Sequence, residues 1–245
     1  MTGNEAAALD GELRALLGLS VPPIAIAFAD TVPAGLPRPD GAMPAPTADG
    51  RTGAVPAGCV FWMKATERAF ATVAADHANC SVGSYTHGFK TLSEAAAGAD
   101  VAALVGAEWV TMEAAAAIPT VAEKPGAVLY GPLAAAPFEP DVVFLRLTGK
   151  QLMLVNDAWP ELRFEGKPQC HIIPIAMSSG AVAVSSGCML SRVRTGMSNN
   201  EVTCALPASK LGELVARLKR AQAADMKVAA YAAADAKRFA TGDRA

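Results

Sequence analysis

Two of the three histidines and one of the five cysteines fall within residues 76–88, Asp-His-Ala-Asn-Cys-Ser-Val-Gly-Ser-Tyr-Thr-His-Gly. Thiolate and imidazole are the soft donors that hold transition metals, and a Cys–His couple is also the working part of a thiol nucleophile. His77 and His87 flank Cys80, and Asp76 or Asn79 is placed to orient either imidazole as a base. A single loop histidine is more often a plain hydrogen-bonding residue, so neither counts for much alone. His171, which opens an isoleucine-rich run beside Cys170, counts for less.

The cysteines stand at 59, 80, 170, 188 and 204, with no C-x-x-C pair, so a zinc ribbon, a thioredoxin-like couple and a ferredoxin run are unsupported. Ligands far apart in sequence still converge in enzymes that hold a cluster with single cysteines from several loops. Glycine lies close to three of them: Gly58 before Cys59, Gly83 after Cys80 and Gly187 before Cys188. Glycine permits tight turns and leaves backbone N–H groups free to face sulfur or an anion. Cys204, inside an apolar strand-like run, reads as a small buried hydrophobe. Cys80 and Cys188 read as functional, whereas Cys59 and Cys170 read either way. Ser185-Ser186-Gly187-Cys188 looks like a turn into a helix, which would put the Cys188 sulfur at a helix N-terminus with Arg192 one turn on. The C-x3-R spacing is too short for a phosphatase loop. Gly83 to Gly88 matches neither a P-loop nor a Rossmann fingerprint, and the chain has no G-x-S-x-G elbow, zincin helix or EF-hand loop.

The elements that must position these residues follow from periodicity. Leu9, Leu13, Leu16 and Leu17 form a helical stripe ending at Gly18, and residues 24–28 read as a buried strand. Residues 31–56 carry too many prolines for a regular element and are expected to form a long loop or lid. Helices are expected over 59–69, 93–109 (capped by Ser93), 110–117 and 151–158, with strands at 70–75, 128–130 and 141–147. Ile172, Ile173 and Ile175 are read as a strand, as are 181–184 and 201–206. The tail from 209 to 240 is a long helix with Leu211, Leu214, Val215 and Leu218 on one face. Its other face carries Lys219, Arg220, Lys227, Lys237 and Arg238 without alternating aromatics, a solvated face rather than a nucleic-acid patch. The expected class is mixed α/β (α+β): a single domain with a mixed sheet, flanking helices and a long C-terminal helix.

Composition sets the outer limits. With 245 residues, 52% hydrophobic and 18% charged, the chain has material for a sizeable core. A net charge of −2 argues against nucleic acid as the main partner. The acidic first twenty residues do not read as a signal peptide, and no apolar run approaches a membrane span. An odd number of scattered cysteines fits reduced thiols in the cytoplasm. So apolar a chain is compatible with a homodimer.

An ordered set of short motifs resembles the domain-of-unknown-function family 169, widespread in archaea and bacteria. The motifs are Leu19-Ser20-Val21-Pro22-Pro23-Ile24-Ala25-Ile26, Cys59-Val60-Phe61-Trp62, His77-Ala78-Asn79-Cys80-Ser81-Val82-Gly83 and Pro140-Asp141-Val142-Val143. They continue with Cys170 before an apolar segment, Gly187-Cys188 with Ser191-Arg192, then Glu201 and Pro207. They extend over nearly the whole chain, as one domain would; the proline-rich segment before Cys59 is long for the family. The family's recurrent cysteines look like those of a protein that holds a metal or iron–sulfur centre. That resemblance implies Cys59, Cys80, Cys170 and Cys188 as ligands.

The expectation is therefore a cytoplasmic metalloprotein, and an enzyme, with a cysteine-ligated iron–sulfur (4Fe-4S) cluster as Lewis acid or redox centre on a small molecule. Lyase, hydrolase and oxidoreductase chemistry are all compatible with it. His77, His87 and Arg192 are the candidate catalytic residues, and Gly83, Gly187 and Asn79 the candidates for cofactor binding. The alternatives are a metal-free cysteine-nucleophile enzyme using Cys80 or Cys188, and a haem- or small-molecule-binding module. In every reading the residues around Cys80 form one wall of a site completed by Cys59 and the Gly187-Cys188 turn.

Overall fold

A computed structural model describes residues 3–39 and 58–241. In chain order the elements are α1 (Gly3–Leu17), β1 (Ile24–Ala29), α2 (Cys59–Lys64), β2 (Phe70–Thr72), α3 (Ser81–Thr86), α4 (Leu92–Ala96), α5 (Ala99–Gly106) and α6 (Met112–Ala116). They continue with β3 (Ala127–Pro132), β4 (Val142–Thr148), α7 (Gly149–Ala158), β5 (Arg163–Glu165), α8 (Ile172–Ser179), β6 (Ala183–Ser185), α9 (Met189–Thr195), β7 (Glu201–Pro207) and α10 (Leu211–Thr241). Among the described residues the strands form one seven-stranded sheet, in the order β2-β3-β1-β4-β7-β6-β5. Every pairing is antiparallel except β5 with β6, so the sheet is mixed and the class is mixed α/β.

Period-two alternation sorts the strand side chains between two cores. Val143, Leu145 and Leu147 of β4, with Cys204 and Leu206 of β7, face one layer, where Leu13 and Leu17 of α1, Leu154 and Val155 of α7 and Leu211 to Leu218 of α10 cover them. Val142 and Phe144 of β4, Ile24 and Ile26 of β1, Tyr130 of β3 and Ala205 of β7 face the other. Phe61 and Trp62 of α2 and the isoleucines of α8 close that second layer. It is the side of the sheet on which Cys59 and Cys170 pack, while Cys204 points to the opposite side. Arg146 of β4 ties the second layer together, donating to Glu201 at 2.8 Å and to the Met63 sulfur of α2.

Four expectations change. Residues 172–175 are helical, because an apolar run of four fits a buried helix as well as a strand. Pro174 sits in the first turn, where its missing N–H costs no intrahelical bond, and Gly180 closes α8 in the left-handed region at φ +65°. The expected helix over 93–109 is two helices parted at Gly98, and Thr91 rather than Ser93 caps the first in a reciprocal box with Glu94. The expected helix from Cys59 stops at Lys64. The residues around Cys80 are not a loop: a 3-10 turn spans Ala74–His77 and α3 follows. The expected lid over 31–56 lies largely outside the described residues, apart from residues 31–39, where Pro37 accepts a backbone hydrogen bond from Ala71 of β2. The long C-terminal helix is present as α10, with Leu211, Leu214, Val215 and Leu218 buried along one face of its start and Met226, Val228, Tyr231 and Phe239 exposed farther on. No helix among the described residues is long and apolar enough to cross a membrane.

Candidate functional site

Four short elements deliver one cysteine each. Cys59 opens α2, Cys80 is the N-cap of α3, Cys170 lies in the 3-10 turn Gln169–His171 ahead of α8, and Cys188 is the N-cap of α9. All four line one pocket of about 510 Å³, mouth included, together with Gly83, His87, Trp62, Gln169, Ser191 and Arg194. Val82, Leu104, Trp109, Pro168 and Leu190 complete its largely apolar wall. All five cysteines are free thiols, and Cys204 lies apart in the other core.

Burial dominates the chemistry of these thiols. It pushes Cys59 up to about 11, against the hydrogen bond from Ser191, and raises Cys80 and Cys170 as well. The Gly83 N–H, 3.4 Å from the Cys80 sulfur, opposes burial in part, and the Thr86 hydroxyl does so for Cys170. Cys204, with burial alone acting on it, is pushed up to about 12. Buried, protonated thiols are poor nucleophiles; they become thiolates when a cation is there to hold them.

The hydrogen bonds fix both imidazole tautomers. Nδ1 of His87 lies 2.9 Å from the Gly83 carbonyl, which can only accept, so Nδ1 carries the proton and Nε2 is bare. That Nε2 is buried without a hydrogen-bond partner. The Thr72 hydroxyl donates to the Val128 carbonyl, so Nε2 of His77, 2.9 Å from it, must donate, leaving Nδ1 bare and likewise without a partner. The two rings are 5.4 Å apart. His87 lines the pocket, whereas His77 stands behind it, packed on Phe61 and Phe89. A Cβ on residue 58 would lie 2.8 Å from His77 Nδ1, so glycine is needed for α2 to approach this closely. The Trp62 Nε1 and Gln169 Oε1 atoms on the pocket wall are also buried without partners. The Tyr130 hydroxyl, fully buried near Cys59 and Cys170, is another such atom.

Burial holds His87 down at about 4 and His77 well below the usual 6.5. In the unfolded chain both take up protons near pH 6.5, so between about 6.5 and 4 the unfolded state binds more protons. Stability is therefore full above pH 6.5 and falls as pH drops toward 4, with His87 alone costing about 2 kcal/mol by pH 5. Denaturant titrations of metal-free protein at pH 7.5 and 5.0 check this, with His87→Gln expected to flatten the difference. Equal midpoints at the two pH values would contradict it.

The other residues that the sequence points to occupy supporting positions. Arg192 is not on the pocket wall: its guanidinium donates to the carbonyls of Ser186, Ser198 and Glu201, pinning the turn that carries Cys188. Gly187 sits in that turn at φ +107°, a conformation that favours glycine, with the Arg192 guanidinium 3.0 Å from where a Cβ would stand. Asn79 is buried in the turn before Cys80 and does not line the pocket. Asp76 is fully buried, accepting from the Val73 N–H at 2.7 Å and from Arg38 at 2.5 Å; it fixes the 3-10 turn rather than a histidine. Motif spacing alone does not single out the pocket's cation, Arg194, nor Trp62, Trp109 or Gln169. Helical spacing holds the clue for two of them: Leu190, Ser191 and Arg194 share a face of α9, and Trp62 follows Cys59 by one turn.

A mixed seven-stranded sheet with four cysteines gathered over one face defines the class of protein. The chain belongs to the domain-of-unknown-function family 169, described as an uncharacterised ArCR family, whose pattern matches residues 12–217. No curated protein and no solved structure matches the chain.

Proposed function

We propose that this is a cytoplasmic iron–sulfur protein whose cluster is held by three or four of Cys59, Cys80, Cys170 and Cys188, and that it acts as an enzyme on a small molecule. The observation that carries this is the meeting of four cysteines, from four separate segments, at one apolar pocket. A second fits it. Among the described residues Arg194 is the one cation that acts on the raised Cys59 and Cys80 thiols, and an iron–sulfur group would supply the positive charge their thiolate forms need.

When bound, the cluster supplies an electron, or with three cysteine ligands an open iron acting as a Lewis acid. The chain's own residues would do the rest. His87 offers a neutral imidazole whose bare Nε2 takes a proton, with Nδ1 held by the Gly83 carbonyl so the ring cannot turn. Trp62 Nε1–H offers a donor and Gln169 Oε1 an acceptor that no protein group uses, while the Gln169 amide nitrogen is taken by Ser191. Val82, Leu104 and Trp109 keep water out.

Anaerobic reconstitution with iron and sulfide tests the proposal. The expected product is a brown protein with iron and sulfide in equal amounts. A protein that stays colourless and free of both overturns it, and fast alkylation of one cysteine at neutral pH would favour the metal-free nucleophile instead.

A further inference from the structure

The sheet ends on one side at β5, whose outer edge no other strand of the described chain covers. β5 pairs with β6 alone, in parallel, with Arg163 beside Ala183 and the Arg163 N–H bonded to the Val182 carbonyl. Successive residues of a strand turn their peptide groups to opposite edges, so the N–H and C=O of Phe164 point away from β6. The Phe164 ring is 62% exposed, and Glu161, Arg163, Gly166 and Lys167 around it are exposed as well.

Charged side chains on an edge usually keep other strands off it. Here their order does the opposite for one particular visitor. Residues 160–168 read Pro-Glu-Leu-Arg-Phe-Glu-Gly-Lys-Pro, and about Phe164 the signs of charge invert. Arg163 stands against Glu165, Glu161 against Lys167, and a proline bounds each end. A second copy laid antiparallel on a two-fold axis through Phe164 meets opposite charge at every charged position. Laid parallel in register, it meets like charge at every one. The order becomes a pattern only once β5 is known to be an edge.

We propose that β5 is a self-pairing edge, through which two copies of this chain join their sheets antiparallel about Phe164. The two Phe164 residues exchange both backbone N–H···O bonds, and their rings meet on one face of the joined sheet. Arg163 and Glu165 lie on the other face, 2.7 Å apart within one chain. Across the axis Arg163 faces the second copy's Glu165, so four side chains alternate in sign around a ring. Glu161 and Lys167 are engaged within their own chain, with Arg217 and on Trp109, and add attraction at the rim. The pairing uses up the edge on both copies, so it closes at a dimer rather than running on into a fibre. It does not rest on the cluster, although three residues past β5 the chain reaches Pro168, Gln169 and Cys170 of the pocket wall.

Sedimentation equilibrium of the full chain over a concentration series tests the proposal. The contact is small, so a reversible dimer with a dissociation constant on the order of 10 µM is expected at low salt. About 0.5 M sodium chloride should weaken it several-fold. Arg163→Glu and Glu165→Arg, each alone, should weaken self-association about tenfold or more, because like charges then face across the axis. An equimolar mixture of these two variants should dimerise again, since one chain then carries only negative and the other only positive charge at the two positions. Phe164→Pro removes the outward N–H without touching the ladder to β6, and should be monomeric with the circular dichroism spectrum of the wild type. A wild-type chain still monomeric at about 200 µM overturns the proposal. So does a dimer indifferent to these substitutions, which would place the contact elsewhere. A mixture of the two charge variants that stays monomeric overturns the antiparallel register, and it decides the matter even where Phe164→Pro does not fold.

Discussion

Cys80→Ala is expected to lose all iron and sulfide on reconstitution, while Cys204→Ala keeps the wild-type content. Cys80 is held firmly in place, since it caps α3, its sulfur accepts the Gly83 N–H, and it lies within electrostatic reach of Cys170, Cys59 and Cys188. Cys204 is fully buried, but in the layer under α1, α7 and α10, on the far side of the sheet. Alanine is the better replacement there, because a serine hydroxyl in that core would go without a partner at a cost of about 1–3 kcal/mol. The same series over Cys59, Cys170 and Cys188 separates the two ligand counts. Four losses mean four ligands; three losses and one retained, altered cluster mean an open iron. Retention of full iron and sulfide in all four alanine variants would remove the cysteines from the role.

Phe61→Ala is expected to lower stability by about 3–5 kcal/mol, the largest effect of a single truncation away from the sulfurs. The ring is fully buried on α2, two residues after Cys59, and touches Phe70 and Tyr130 at centroid distances of 5.8 Å and His77 at 5.1 Å. Those neighbours are held by β2, β3 and the 3-10 turn, so they cannot close on the space left behind. The cavity would open directly behind the pocket, and Cys59 should alkylate faster in the variant. Met153→Ala on α7, where the side chain is 44% exposed, should change stability by no more than about 0.5 kcal/mol. Urea unfolding midpoints compare the two; a loss below about 1 kcal/mol for Phe61→Ala would show that α2 settles into the gap.

The pattern along the chain is enough to read the class, the long C-terminal helix and the main strands, because those depend on local periodicity. Val142, Val143 and Phe144 give their apolar run a high β-propensity, which is what marks the strand, and the structure then sends its side chains alternately into two cores. The same logic fails where burial is complete. Ile172 to Ala176 is apolar on every side, and such a run carries no period to tell helix from strand. Between residues 92 and 106 the alanine-rich chain forms two short helices parted at Gly98, a break that composition blurs into one helix. In the site, residue types with rare chemistry are legible and their partners are not. Arg192 stands out by nearness to Cys188 but holds a backbone turn, while Arg194, one helical turn from Leu190, faces the pocket. β5, at the sheet edge and only three residues long, gives no signal at all.

The four cysteines are spread from residue 59 to residue 188, each on its own short helical element with strands of the sheet between them. A group that held them together would close several long loops of the chain at a single point. Loop closure costs rise with the logarithm of loop length, and an unfolded chain tied at one centre has far fewer arrangements than a free one. The cluster would thus be a clasp on the denatured ensemble as much as a reagent, and a loaded chain should refold from urea toward one topology while the bare chain samples many.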